Sequence, residues 1–473
     1  MLVKILNMKK IFLLLITIVG CLSVTAKVTL PKMFANGMVL QRETTVNLWG
    51  EARRGSTLSI TTSWDKHVYK TKVDKEGHWL QSITTPEAGG PYTITFDDGE
   101  QLVIHDVFIG EVWVCSGQSN MEMQMKGFKA QPVEGAITDI MYSKDPQLRM
   151  FTVKRNSQFL PVDTVSGQWM DATPTHVREF SATAYYFGRA LRQVLDVPVG
   201  LIVASWGGSA CEAWMTAEWL RAFPDAKIPQ TAADIKSKNR TPTVLYNGML
   251  HPLIGYTMRG VIWYQGEDNV PRYATYADML STMIKGWRQE WKQGDFPFYY
   301  CQIAPYDYSL INWDVNSALL REQQAKVETM TANTAMAVLM DAGLEYGIHP
   351  RKKREAGERL ALLALGKTYQ VGGLPEFARY EGVEFKGDTA VVRFDRSKEW
   401  VYFDRGTTSD LFEIAGADRV FHPAQAWIER NRVYLRSDQV SQPVAVRYAF
   451  HNWADGDLFC DGLPVSSFRS DNW

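Results

Sequence analysis

"VFIGEVWVCSGQSNMEM", from Val107 to Met123, is the stretch that decides the fold of this 473-residue chain. Its first half is a nearly continuous apolar run, which is typical of a strand buried on both faces of a parallel sheet. Its second half is polar and contains a glycine, so the strand is expected to end in a tight turn that holds Ser119. A serine in such a turn is most often a cap or turn hydroxyl, so its role depends on what the other strands carry at their ends.

Further apolar runs follow this one and alternate with helical patterns. Residues spaced three and four apart, such as Phe180, Ala184 and Phe187, form one apolar stripe of a helix, and 276–291 and 351–365 continue in the same way. The alternation predicts an α/β fold, a parallel sheet flanked by helices. The strand candidates after the first are "PVGLIVA" (198–204), "GVIWY" (260–264), "FPFYYCQIA" (296–304) and "AMAVLM" (335–340).

Sequence patterns typical of β-strands lie on both sides of this α/β region. Residues 27–106 are short alternating segments separated by Gly, Asp and Pro, a pattern that predicts an N-terminal β-sandwich domain. Residues 107–368 form the predicted α/β domain. From 369 to 473 the pattern is β-like again, so an additional β-rich C-terminal region is expected.

Residues 1–26 are typical of an export signal, because lysines precede the short apolar run Ile11 to Val19 and small residues follow it. That run is too short to span a bilayer. Two outcomes stay open: cleavage after Ala26, or lipid attachment at Cys21, since "IVGC" resembles a bacterial lipobox. An exported protein, periplasmic or at the cell surface, is therefore expected, with membrane contact only if Cys21 is lipidated.

The amino-acid composition indicates which classes of ligand the protein is expected to bind. Lys plus Arg (51) nearly balance Asp plus Glu (52), so the chain lacks the basic footprint of a nucleic-acid-binding protein. No CxxC or Cys/His spacing indicates a metal site. The 16 tryptophans suit either a large core or clefts that stack on sugar rings. The oligomeric state is not indicated by the sequence.

Polar motifs follow the predicted strands, and the carboxyl ends of parallel strands meet at one edge of a sheet. A serine nucleophile at that edge needs a base to take its proton, and His349 is the candidate. Besides Ser119, the strand ends carry "WGGS" (206–209), "QGEDN" (265–269), and Asp341 with "EYGIHP" (345–350).

The same loops hold candidate donors for an oxyanion. Gly207 and Gly208 allow a backbone N–H to approach a reacting carbonyl, and Gln265 and Asn269 carry side-chain amides. A strand-to-helix turn would also need the glycines, and the amides would also suit a buried network that holds the loops together.

Six motifs stand out along the chain: "GEVWVCSGQSNMEM", "SWGGSACEAW", "LYNGMLHPL", "WYQGEDN", "GIHPRKKREAGERLA" and "DGLPVSSFR". They closely resemble motifs of the sialate O-acetylesterase family of SGNH-type hydrolases, and they occur in that family's order. The opening "LPKMFANGMVLQR" and "VNLWGEA" fit its N-terminal β-domain, so the resemblance covers nearly the whole mature chain.

The resemblance implies an SGNH-hydrolase-like fold and a serine esterase that removes O-acetyl groups from sialic acids and releases acetate. It implies Ser119 as nucleophile and His349 as base. It also implies an oxyanion hole from the N–H groups of Ser119 and Gly208 and the side chain of Gln265, with Asn269 in reserve. No metal or organic cofactor is expected.

One position departs from the family pattern. Where members often read "DIHP" this chain reads "GIHP", so Gly347 replaces the acid that orients the histidine. Asp341, slightly preferred, or Glu345 could take over, or a main-chain carbonyl could orient His349 in a Ser-His dyad. The candidate substrate-binding residues are Gln118, Asn120, Trp206 and Glu267. The tryptophans near these loops, candidates for a sugar platform or for the core, are Trp113, Trp206, Trp214 and Trp263.

Two alternatives to sialate deacetylation stay open at this point. One is an esterase for acetylxylan or another acetylated glycan, because SGNH relatives share these loops. The other is a sugar-binding protein on an esterase scaffold, catalytically impaired because the acid is missing.

Overall fold

The computed structural model describes residues 27–395 and 399–473. The predicted export signal, 1–26 with Cys21, lies outside these ranges. Within them, no helix combines the length and the apolar character that crossing a membrane requires.

The strands are β1 Val39–Gln41, β2 Thr45–Glu51, β3 Thr57–Thr62, β4 Val68–Lys72, β5 His78–Thr84, β6 Gly89–Asp97, β7 Gln101–Gly117, β8 Asp145–Thr152, β9 Trp169–Ala172, β10 Val199–Ser205, β11 Gly260–Tyr264, β12 Phe298–Cys301, β13 Thr334–Ala337, β14 Tyr380–Lys386, β15 Thr389–Phe394, β16 Val401–Phe403, β17 Thr408–Ser409, β18 Phe412–Ala415, β19 Phe421–Pro423, β20 Gln425–Glu429, β21 Arg432–Arg436, β22 Ala445–Tyr448, β23 Leu458–Cys460, β24 Leu463–Pro464 and β25 Phe468–Arg469. The α-helices are α1 Ser119–Glu122, α2 Ala136–Met141, α3 Pro174–Arg178, α4 Ala182–Leu195, α5 Ala217–Leu220, α6 Tyr276–Trp291, α7 Ala318–Met330 and α8 Lys353–Leu363. Short 3-10 and π turns lie between them, at Cys211–Trp214, Ala232–Asp234, Tyr246–Leu250, His251–Leu253, Glu267–Thr275, Tyr308–Ile311 and Ala364–Thr368.

The central sheet has the strand order β13-β12-β11-β7-β10-β8-β9. All neighbours are parallel except the edge strand β9, which pairs antiparallel with β8. Every residue of β10 and β11 is buried, as expected for strands covered by helices on both faces. The predicted fold class is confirmed. The strands β8 and β9 were not predicted, because "DPQLRMFT" and "WMDA" are short and carry polar residues.

The long strand β7 joins the N-terminal β region to the central sheet. Its first half pairs antiparallel with β6, and its second half, from Glu111 to Gly117, pairs in parallel with β10. The predicted boundary between 106 and 107 thus falls inside one strand. Asp106 bends the strand there with a φ of 57°, and its carboxylate binds the Arg149 guanidinium at 2.6 and 3.1 Å.

Two small sheets form the N-terminal β region. Strands β3, β4 and β6 continue onto β7, and β1 lies on the other side of β7. The pair β2-β5 forms the second sheet, and Trp79 of β5 packs on Phe96 of β6 with ring centroids 5.7 Å apart. Apolar side chains from both sheets are fully buried between them, among them Leu48, Leu58 and Ile60.

The C-terminal β region packs directly on the α/β domain. Its strands form a five-stranded, a four-stranded and a three-stranded sheet. The "DGLPVSSFR" segment makes the contact, since Ser466 Oγ accepts from Gln302 Nε2 at 2.7 Å and Ser467 Oγ accepts from Arg321 Nε at 3.0 Å. Arg321 is fully buried, so this contact is part of the core and not a loose domain junction.

Candidate active site

Ser119 stands at the carboxyl end of β7, as the first residue of the short helix α1. The turn before it is tight: a Cβ on Gly117 would lie 2.1 Å from the Tyr264 carbonyl oxygen, so only glycine fits there. Ser119 is 8% exposed. A small part of the residue therefore reaches the surface at the end of the strand.

The "WGGS" turn after β10 lies against Ser119. A Cβ on Gly207 would stand 3.3 Å from the Ser119 Cβ. The Gly207 N–H donates to Glu122 Oε2 at 2.8 Å, and Arg155 clamps both oxygens of Glu122 at 2.6 Å. Among the described residues, the backbone N–H groups of Ser119 and Gly208 have no acceptor. These two donors are thus available for an oxyanion.

His349 is held by a residue that the sequence did not suggest, Gln131. The Gln131 Oε1 atom lies 2.7 Å from His349 Nδ1. An amide oxygen can only accept a hydrogen bond, so Nδ1 carries the proton and Nε2 is left as the basic nitrogen. Gln131 sits on a tight turn that bonds back to Phe128, whose ring contacts the imidazole edge-on at 5.1 Å. A Cβ on Gly127 would stand 2.3 Å from the Gln131 carbonyl oxygen, so glycine is required at the start of this turn.

The expected orienting groups for His349 are corrected by this geometry. Asp341 forms a two-pronged ion pair with Arg359, 2.6 Å at both oxygens. Glu345 lies beside the Tyr346 hydroxyl. Neither carboxylate binds the imidazole, and the partner of Nδ1 is not a main-chain carbonyl either. Asp341, the preferred candidate, is instead paired with the Arg359 guanidinium of α8, so in this structure Gln131 takes the orienting position.

The arrangement supplies a hydroxyl, an imidazole with a free basic nitrogen, and two backbone donors on one sheet edge. Within the described residues, no three His, Cys, Asp or Glu side chains are grouped so that they could hold a metal ion. The carboxylates near the site are paired with arginines instead: Glu122 with Arg155, and Asp341 with Arg359. Such a set of groups can carry out acyl transfer.

A family of carbohydrate esterases described as sialic acid-specific acetylesterases matches residues 109–364, more than half of the chain. The chain belongs to this family. Human sialate O-acetylesterase is 31% identical over 370 residues, which cover 71% of this chain and 70% of the human protein. The rat sialate O-acetylesterase is 29% identical over 399 residues, which cover 71% of this chain and 72% of the rat protein.

The crystal structure of a carbohydrate acetylesterase from Xanthomonas citri covers 94% of this chain and 100% of its own, with 37% identity and a TM-score of 0.86. The predicted family and enzyme class are confirmed. The chain is a carbohydrate esterase, and deacetylation of glycans is the reaction of its family.

In this esterase the His349 imidazole is kept neutral far into the acid range. Burial and the nearby charge of Lys353 lower the pKa of His349 to about 4. The neutral form is the one that takes a proton from serine. The imidazole is therefore neutral at any pH well above 4.

A buried network behind the esterase's catalytic candidates links Asn120, Glu267 and Lys353. The Asn120 side chain accepts from Lys353 Nζ and donates to Glu267 Oε1, and it also donates to the Ile348 carbonyl oxygen at 3.1 Å. Asn120 follows Ser119 in the chain and Ile348 precedes His349, so this bond ties the two catalytic candidates together. Burial lowers the pKa of Lys353 to about 7 and raises the pKa of Glu267.

The expected side-chain oxyanion donors are also corrected. Both hydrogens of Gln265 Nε2 are committed, to the Ser209 carbonyl oxygen at 3.0 Å and to Asn269 Oδ1 at 2.7 Å. Asn269 Nδ2 in turn donates to Glu212 at 2.9 Å. Both amides are fully buried. The two amides therefore belong to a buried hydrogen-bond network that holds the loops together, which was the alternative interpretation of this motif.

Of the four expected substrate-binding residues, only Trp206 is accessible. It is partly exposed, and the Arg155 guanidinium lies 5.4 Å from its ring. Gln118 is buried and fixes the "QGEDN" turn by accepting from the N–H groups of Gly266 and Asp268. Asn120 and Glu267 belong to the network around Lys353. The other tryptophans near these loops, Trp113, Trp214 and Trp263, are fully buried core residues.

A pH profile tests the role of Gln131. Wild-type kcat/KM for an aryl acetate should fall on the acid side only near pH 4, where His349 protonates, and not near the ordinary histidine pKa of about 6.5. Gln131→Glu places a carboxylate on Nδ1, which stabilises the imidazolium and should move the acid limb up by about 1 pH unit or more. Gln131→Ala should lower kcat roughly tenfold by loss of one orienting hydrogen bond. An acid limb that is the same in all three proteins would contradict the assignment.

Proposed function

We propose that this esterase removes O-acetyl groups from sialic acids through an acyl-enzyme on Ser119. His349 Nε2 takes the proton of the serine hydroxyl as Oγ bonds to the acetyl carbonyl carbon. The negative oxygen of the tetrahedral intermediate is bound by the N–H groups of Ser119 and Gly208. The C–O bond to the sugar then breaks, and the sugar hydroxyl leaves with the proton from His349. Water repeats the sequence and releases acetate.

The observation that carries the proposal is the contact between Gln131 Oε1 and His349 Nδ1. Because Gln131 Oε1 accepts from Nδ1, the basic Nε2 nitrogen is free at the sheet edge where Ser119 and the unpaired N–H groups lie. A neutral amide can orient the ring but cannot stabilise the imidazolium as a carboxylate would. The low pKa of His349 is consistent with that neutral partner.

An acidic sugar is favoured by an arginine at the mouth of the site. Arg240 Nη2 lies 3.5 Å from where a Cβ on Gly208 would stand, and its Nε binds Asp268 Oδ1 at 2.5 Å. Among the described residues no acceptor is bound to its terminal nitrogens, and about half of the side chain is exposed. A guanidinium recognises a carboxylate with two parallel hydrogen bonds. The relatives named sialate O-acetylesterase support the same substrate class.

Acetate release from N-acetyl-9-O-acetylneuraminic acid and from acetylxylan tests the substrate class. The sialic acid ester should be the better substrate. Arg240→Met should raise KM for this ester roughly tenfold or more, because a charge-assisted contact is lost, while the acetylxylan rate serves as the internal comparison. Arg430→Met, an exposed arginine of the C-terminal region, is the matched control. Activity on acetylxylan alone would overturn the sialate proposal and leave glycan deacetylation standing.

Export is part of this proposal only as a prediction from residues 1–26. Lysines before the apolar run Ile11 to Val19 support it, and soluble release or anchoring through Cys21 both agree with that pattern.

A further inference from the structure

A cleft of about 650 Å³ lies where the loop after β12 meets the C-terminal β region. Its lining includes Ser309, Asn312, Trp313, Asp314, His451 and Asn452. The volume is in the range of small-ligand sites. The loop leaves the carboxyl end of β12, and β12 is parallel to β11, which is parallel to β7. The cleft therefore lies at the same edge of the sheet as Ser119, the edge formed by the carboxyl ends of these strands.

Hydrogen bonds hold the loop that lines this cleft to the segments on either side of it. On the side of the His349 loop, Leu344 N donates to the Pro305 carbonyl oxygen and Asp307 N to that of Glu345, both at 3.2 Å. On the side of the C-terminal region, Ser317 N donates to Asn452 Oδ1 at 2.6 Å. The cleft is thus built jointly by the catalytic domain and the C-terminal region, and its walls are tied to the segment that carries the base.

An aromatic ring forms one wall. Trp313 stacks on the fully buried Tyr308 with centroids 5.8 Å apart and planes 10° from parallel. Tyr308 is itself braced edge-on by Tyr306 at 5.0 Å. One face of the indole is therefore backed by the core, and the residue lines the cleft.

Unused polar groups surround this ring. Within the described chain, the side chains of Ser309, Asn312 and Asp314 and the Trp313 indole N–H make no hydrogen bond to protein. His451 Nε2 is already paired with a glutamate, Glu413, at 3.0 Å. The lining contains an acid, Asp314, and no lysine or arginine.

We propose that this cleft is a second carbohydrate site that takes neutral sugar residues of the glycan whose terminal sugar is deacetylated at Ser119. A backed aromatic ring packs against the apolar face of a pyranose, and free hydroxyl, amide and carboxylate groups bind sugar hydroxyls. The lining contains no lysine or arginine, and its histidine, His451, is already paired with Glu413, so this site differs from Arg240 in offering no free guanidinium to a carboxylate. The proposal rests on glycan deacetylation at Ser119 but not on which acetylated sugar is used.

The test compares substrates of different length. KM is measured for N-acetyl-9-O-acetylneuraminic acid and for the same sugar attached to lactose, with aryl acetate turnover to normalise active enzyme. Trp313→Ala should raise the KM ratio of trisaccharide to monosaccharide roughly tenfold. Trp313→Phe, which keeps packing on Tyr308, should give a smaller rise, and Trp400→Ala, an exposed tryptophan outside the cleft, should give none.

A binding measurement keeps the proposal separate from the sialate assignment. Ser119→Ala enzyme is titrated calorimetrically with lactose and with xylotriose, neither of which carries an acetyl group. At least one of the two sugars should bind to Ser119→Ala, and this binding should be lost in the double variant Ser119→Ala/Trp313→Ala. That result supports the site even if sialate esters prove not to be substrates. If neither sugar binds, or if the Trp313 variants leave both binding and the KM ratio unchanged, the site is overturned.

Discussion

Replacing Ser119 with alanine should lower kcat/KM for acetyl-ester hydrolysis by at least about a thousandfold. Oγ is the atom that forms the acyl-enzyme in the proposed mechanism, so the substitution removes the nucleophile. Folding should be unaffected, because the Ser119 hydroxyl makes no hydrogen bond to other described residues and the change removes a single atom. Acetate release from the proposed substrate, with circular dichroism on both proteins, measures this.

Ser116→Ala is the matched control. Ser116 lies near the end of β7, just before the turn that carries Ser119; it is fully buried, and its hydroxyl donates to the Ala204 carbonyl oxygen at 2.6 Å. Its loss should cost about 1 kcal/mol of unfolding free energy and leave kcat close to wild type. Equal rates for Ser119→Ala and wild type would refute the nucleophile, and equal losses in both serine variants would assign the effect to the strand.

The fold was predictable because its signals are local. Runs such as "GVIWY" are buried on both faces, and the structure ends β11 at the residue where the pattern ends. The strand-end rule also placed Ser119 and the Gly207–Gly208 turn side by side, since register in a parallel sheet follows from strand order.

The partners of the site were not predictable because they are set by distant segments. Gln131 lies 218 residues from His349, in an irregular stretch with no periodicity, and only the packed structure brings its amide to the imidazole. Asp341 had the expected chemistry and the expected loop, but Arg359 from α8 takes it. Gln265 illustrates the same limit: a sequence shows that a side chain can donate, and not whether its hydrogens are already used.

Loss of the Glu111 carboxylate should destabilise the fold strongly. It is fully buried on β7 and accepts from Arg42 at 2.6 Å, from Arg259 at 2.8 Å and from Tyr369 at 2.9 Å. It thereby joins the N-terminal β region to the catalytic domain and to the segment before the C-terminal β region. Glu111→Ala leaves these donors without an acceptor and should lower the unfolding free energy by about 3 kcal/mol. This is the low end for a broken buried pair, because both arginines are partly exposed and can reach water.

The pH dependence of unfolding separates the charge of Glu111 from its packing. Burial alone would raise the pKa of Glu111, but the hydrogen bond and charge of Arg259 outweigh it and hold that pKa below its ordinary value. A depressed carboxyl pKa contributes stability that is complete above the unfolded pKa of about 4.3 and is lost as pH falls through the folded pKa. Glu111→Gln keeps the shape and removes the charge, so it should be less destabilised than Glu111→Ala at pH 7 and should lose less on acidification than wild type. Denaturant unfolding at pH 7 and pH 3.5 measures both, and an acid decline as steep in Glu111→Gln as in wild type would show that other carboxylates control it.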